Sequence, residues 1–117
     1  MRRVIIESPY AGQVQRNKLY LQDCIRDCIN LGESPYASHQ MLTDALNDLH
    51  PEERKQGINA GMPWYEAADA VVVYRDFGIS GGMHIGINRA IHLNKPLEYR
   101  ELGGVWEFWA SLQENAK

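Results

Sequence analysis

The run Ala70-Val71-Val72-Val73-Tyr74 and the segment after it, Arg75 to Gly86, constrain this chain more than any other stretch. Five consecutive apolar residues without polar alternation predict a strand buried on both faces, as in a parallel sheet covered by helices. Gly78, Gly81, Gly82 and Gly86 then predict a glycine-rich turn leading into a helix, with Ser80 placed to cap it. Glycine lets a ligand approach the backbone, and a helix N-terminus offers free N–H groups and partial positive charge. The stretch therefore marks where a phosphate, sugar or carboxylate would be held.

The rest of the chain supplies partners for that strand. Val4-Ile5-Ile6 is a short apolar strand ending at Glu7-Ser8-Pro9. A helix is expected from Arg16 to Leu31, with an apolar stripe of Leu21, Cys24, Ile25, Cys28 and Ile29 and with Gly32 as its C-cap. Glu33 to His39 reads as an edge strand or an extended loop, since Pro35 cannot donate in a central strand. A helix follows from Gln40 to Leu49. Pro51 opens another, running to Ala68, which Gly57, Gly61 and Pro63 interrupt or kink. After the glycine turn a helix runs to Leu93, with Met83, Ile87, Ala90 and Ile91 facing inward. Pro96 to Tyr99 forms a last strand, and Gly103-Gly104 precede a helix holding Val105, Trp106, Phe108, Trp109 and Leu112. Strands alternating with helices predict an α/β fold: a single Rossmann-like, three-layer α/β/α domain over residues 1–117, with a small, mainly parallel sheet.

Composition narrows the function classes. A net charge of −3 and the lack of any lysine- or arginine-rich block argue against a nucleic-acid partner. No apolar run approaches the ~18 residues of a membrane span, and Glu7 interrupts the N-terminal apolar stretch too early for a signal peptide. The expected compartment is the cytoplasm. Cys24 and Cys28 share a helical face and read as buried core thiols; no metal is expected. The patterns G-x-x-x-x-G-K-[ST] and G-x-G-x-x-G are absent, so no nucleotide cofactor of the usual kind is expected.

In open parallel sheets ligands bind beyond the carboxyl ends of the strands. That rule selects Glu7, Ser8 and Tyr10 after the first strand, His39 after the second, Asp76, Ser80, Gly81 and Gly82 after the third, and Glu98 on the last. The expectation is that Glu7, Asp76 and Glu98 meet in one crevice. Clustered carboxylates suit sugar hydroxyls and glycosidic chemistry. Tyr10 or Trp64 would stack on a base. Each has a plainer reading: Asp76 as a turn residue, Glu98 as a surface acid paired with Arg100 or Lys95, His39 as a loop histidine, Trp64 as core.

Ser8-Pro9-Tyr10, the Ala68-to-Val73 strand and the glycine turn ending Ile85-Gly86 resemble the nucleoside 2-deoxyribosyltransferase-like superfamily. Residues 4 to 103 more closely resemble an uncharacterised family of short phage and bacterial proteins near that superfamily. The segments that carry this likeness are Glu7 to Gly12, Gly32 to His39, Pro51 to Arg54 with Gly57-Ile58, Gly78 to Ser80 with Gly82-Met83, and Lys95 to Arg100. The resemblance implies a nucleoside-handling fold, sites often shared between subunits, and hence a homo-oligomer. It implies a nucleophilic glutamate two residues before a glycine in the first turn after the glycine loop. That position holds His84 here, and a neutral imidazole is not the usual nucleophile at an oxocarbenium-like centre. The family's upstream substrate-contacting aspartate maps to Asp76.

Two functions follow as expectations. One is an enzyme that cleaves or transfers at an N-glycosidic bond, with Glu7 or Glu98 replacing the missing nucleophile and His39 or His84 protonating the leaving base. The other is a binding protein that keeps the pocket for a nucleotide signal such as an ADP-ribose derivative, as a phage in its host's cytoplasm would use. A third, structural reading makes Trp106 and Trp109 an oligomer or partner interface.

Overall fold

A computed structural model describes residues 1–47 and 49–115. The elements run β1 (Arg2–Glu7), α1 (Val14–Asn30), β2 (Glu33–Tyr36), α2 (Ser38–Ala45), α3 (Pro51–Ala67), β3 (Ala70–Tyr74), α4 (Gly81–His92), β4 (Leu97–Arg100) and α5 (Val105–Asn115). The strands form one parallel sheet in the order β2-β1-β3-β4. This is the expected Rossmann-like α/β architecture.

The apolar β3 run is wholly buried because helices cover both faces of the sheet. Alternate strand residues point to opposite faces. Val4, Ile6, Val72 and Tyr74 face one side and pack on Tyr20, Leu21, Cys24 and Cys28 of α1 and on Trp106 of α5. Ile5, Val71 and Val73 face the other, against Tyr65 of α3 and Met83, Ile87 and Ala90 of α4. Cys24 and Cys28 are buried free thiols, and burial raises the pKa of both. Gly32 takes φ +77° just past α1, a left-handed conformation that ends the helix without a Cβ clash.

Several element details differ from expectation. Helix α2 starts at Ser38, directly after the edge strand, and so carries His39 in its first turn. Helix α3 continues through Pro63. Proline removes one helical hydrogen bond, and the carbonyl it deprives belongs to exposed Asn59, where solvent can take its place. Ile29 and Ile91, expected inward, are 58% and 59% exposed. Of the α5 apolar residues only Trp106 is buried; its indole N–H donates to Asp23 Oδ2 at 2.8 Å. Among the described residues no helix is long and apolar enough to cross a membrane.

The chain moves from β1 outward to β2, then returns past β1 to β3 and on to β4. Strand order therefore reverses between β1 and β3, and their carboxyl ends diverge into a crevice.

Candidate functional site

A cavity of about 370 Å³ opens at that crevice. Glu7 and Ser8 line it from the end of β1, Tyr10 from the following loop, and His39 from α2. Ser80, the N-cap of α4, and Gly81 and Gly82 of its first turn close it, with Tyr65 from α3 and Arg89 from α4. Leu42, Ile58 and Met83 add apolar wall.

Glu7 is the group whose environment departs most from that of a surface acid. It shares the β1 face of Ile5, so it points to the α3–α4 side and is only 3% exposed. Burial raises its carboxyl pKa to about 7; a hydrogen bond donated by the Tyr65 hydroxyl and the charge of Arg89 oppose that rise. The Arg89 guanidinium carbon lies 5.3 Å from the centre of the Tyr65 ring. Gly86 makes room for the carboxylate: a Cβ there would stand 2.3 Å from the Glu7 carboxyl carbon. Side-chain burial, a phenol donor and a nearby cation thus converge on one carboxyl group.

Ser8, itself 4% exposed, forms a second polar pair, with its Oγ 3.2 Å from His39 Nε2. Burial lowers the His39 pKa to about 4, so the imidazole is neutral at neutral pH. The loop after β1 is held by buried Asn17, whose amide donates to the carbonyls of Tyr10 and Ala11 at 2.8 and 3.2 Å. Ser80 accepts from the Met83 N–H at 3.4 Å, so its hydroxyl caps α4 while lining the cavity.

Four of the expected site residues do not line the cavity. Glu98 pairs with Val72 in register and so lies on the α1 side of the sheet, where it bonds Arg2 and Arg100. Those cations lower its pKa, the Arg2 hydrogen bond most. Asp76 accepts from the Tyr20 hydroxyl and from the N–H groups of Leu102 and Gly103, both at 2.9 Å. It ties the end of β3 to the β4–α5 turn. The three-carboxylate crevice is therefore not formed: Glu98 is turned away by strand parity, and the Asp76 oxygens are spent on the fold. His84 is exposed on the first turn of α4 and outside the cavity lining, which takes Ile85 and Gly86 instead. Trp64 stacks on Tyr36, ring centres 4.6 Å apart, beside a separate hollow of about 210 Å³.

Tyr65 and Arg89 escaped the sequence reading. Their signal was periodicity: Gly57, Gly61 and Tyr65 are four apart on α3, and Gly82, Gly86 and Arg89 share a face of α4. The glycines on α3 are breakers in sequence pattern, whereas in the fold they face α2; a Cβ on Gly61 would stand 3.4 Å from Ser38 Oγ. Among the described residues no group of three or more His, Cys, Asp or Glu side chains is placed to hold a metal ion.

The fold recurs in solved structures. A 2-deoxyribosyltransferase from the psychrotolerant bacterium Bacillus psychrosaccharolyticus superposes with a TM-score of 0.65 at 13% identity, over 87% of this chain and 74% of that one. The CMP N-glycosidase BcmB of Clostridium botulinum gives a TM-score of 0.47 at 14% identity, over 97% and 99%. At such identity the first likeness is one of fold. No curated protein sequence matches the chain. Residues 2–100 match the family described as a domain of unknown function, DUF7768, and the chain belongs to that family.

Proposed function

We propose that this protein binds a nucleoside or nucleotide in the switch-point cavity and acts at its N-glycosidic bond, with Glu7 as the reacting carboxylate. The observation that carries this reading is the Glu7 carboxyl itself: buried on the cavity wall, bonded to Tyr65 and titrating at about 7. Such a group populates both protonation states at neutral pH, as acid–base work requires. In hydrolysis the ionised carboxylate takes a proton from water as the water oxygen bonds to C1′. The C1′–N bond breaks with its electron pair going to the base nitrogen. The protonated carboxyl then gives its proton to that nitrogen, and Glu7 returns to its starting state. The fold shared with a protein named as a 2-deoxyribosyltransferase supports the ligand class.

A second reading, binding without turnover, is favoured by His84. It stands where the resembled transferases place their nucleophile, and it is exposed and outside the cavity. Incubating the purified chain with nucleosides, nucleotides and cyclic ADP-ribose isomers, then separating the products by chromatography, decides between the two. Released base supports the enzyme. Intact ligand recovered after heat denaturation, with no free base, supports the binding protein. No ligand retained and no base released sinks both. The exposed α5 stripe Val105, Phe108, Trp109 and Leu112 fits self-association, which light scattering on the same sample measures.

A further inference from the structure

We propose that the Ser8–His39 pair recognises the ligand hydroxyl next to the glycosidic carbon, so that the site takes ribonucleosides or ribonucleotides in preference to their 2′-deoxy counterparts. This rests on the reading of Glu7 as the group acting at the glycosidic bond. Ser8 follows Glu7 immediately and lies just past the end of β1, where strict alternation of side-chain faces has lapsed; both side chains line the same cavity. Adjacent Cα atoms are only ~3.8 Å apart, so two consecutive side chains on one cavity wall reach neighbouring positions of one small sugar ring. With the glycosidic carbon at Glu7, the neighbouring ring carbon and its hydroxyl fall to Ser8. On a nucleoside that hydroxyl is the 2′-OH, the group a deoxysugar lacks.

The chemistry of the pair fits a neutral hydroxyl. Ser8 Oγ and His39 Nε2 are 3.2 Å apart, and the neutral imidazole brings no charge. An anion would find no cation in the pair, with the Glu7 carboxyl one residue away. A serine hydroxyl has one donor and two acceptor sites, and the contact with the ring uses one. If Nε2 accepts, Ser8 keeps both acceptor sites; if Nε2–H donates, Ser8 keeps its own O–H and one lone pair. Either arrangement holds a sugar hydroxyl, which both gives and accepts. A ligand without that hydroxyl leaves a buried polar group short of a partner, and sites built this way discriminate strongly.

The test uses the full chain and matched ribo and 2′-deoxy pairs of cytidine, uridine, adenosine and guanosine, with their 5′-monophosphates. Chromatography reads base release and titration calorimetry reads binding. The ribo member is expected to be preferred by at least about tenfold, in kcat/KM or in affinity. Ser8→Ala and His39→Gln, checked for folding by circular dichroism, each bring the ratio toward one; if His39→Gln does not fold, Ser8→Ala decides. A wild-type ratio near one, a deoxy preference, or a ratio unchanged in the folded variants overturns the hydroxyl assignment and leaves the Glu7 reading standing. Ribo-selective binding without base release supports the hydroxyl assignment and overturns the glycosidic step. Neither binding nor release with any pair overturns both.

Discussion

At the scale of single residues, environment separates three acids that look equivalent in the sequence. Glu7 is buried with a raised pKa of about 7, Glu98 is held ionised by two arginines, and Asp76 is a structural acceptor. Glu7→Gln keeps the shape and removes the titrating proton. Base release is expected to fall at least about 100-fold while ligand binding persists, read by product assay and calorimetry. Tyr65→Phe deletes the donor that favours ionised Glu7, so the Glu7 pKa rises further above its ordinary range. The limb of the kcat/KM profile that rises with pH then moves to higher pH; an unmoved limb would separate Tyr65 from Glu7. Asp76→Ala leaves two turn N–H groups and the Tyr20 hydroxyl without their acceptor, costing about 2–4 kcal/mol in urea unfolding.

At the scale of elements, the site depends on how closely α4 lies against the end of β1. Gly86 is the point of contact, with the Glu7 carboxylate filling the space of its absent side chain. Gly86→Ala forces helix or carboxylate to shift, at a cost of about 1–3 kcal/mol, and should abolish turnover. Gly82→Ala is the contrast. A Cβ there meets nothing within 4 Å, so stability should hold or rise by up to about 1 kcal/mol from helix propensity. Thermal unfolding of the two variants checks both, and equal losses would refute this account of Gly86. The element pattern itself was legible because it depends on local periodicity: β3 falls where the apolar run lies, and Ser80 caps α4 as its chemistry suggests. The inward faces of α1 and α4 are narrower than the apolar stripes, since Ile29 and Ile91 continue the stripes but are more than half exposed.

At the scale of the whole molecule, two groups with shifted pKa pull stability in opposite directions. Glu7 holds its proton to about 7 when folded and loses it near 4.5 when unfolded. Its contribution is full below pH 4.5 and is lost as pH rises to 7, a change of about 3 kcal/mol. His39 titrates at about 4 when folded against 6.5 when unfolded. Its contribution is full above pH 6.5 and is lost as pH falls to 4, by a similar amount of about 3 kcal/mol. The two nearly cancel between pH 4.5 and 6.5. Urea unfolding from pH 4 to 8 should therefore show wild type flatter than either variant. Glu7→Gln gains stability as pH rises to 6.5, and His39→Gln loses it as pH rises to 7. Parallel curves for wild type and Glu7→Gln would exclude a perturbed Glu7.

By itself the sequence determined the α/β alternation, the buried β3 strand, the glycine turn and the ends of β1 and β3 that border the cavity. Each follows from side-chain periodicity and backbone freedom within a few residues. It also singled out Glu7, because an acid directly after an apolar strand needs a reason to be there. Only the tertiary structure decided which polar groups share a space. Strand parity turned Glu98 to the opposite face, the β4–α5 turn claimed Asp76, and the start of α2 brought His39 to Ser8. Tyr65 and Arg89 joined Glu7 from helices far along the chain, and Gly86 left room for the carboxylate. Local pattern specifies elements, whereas the meeting of distant side chains depends on register and packing, which no short stretch of sequence contains.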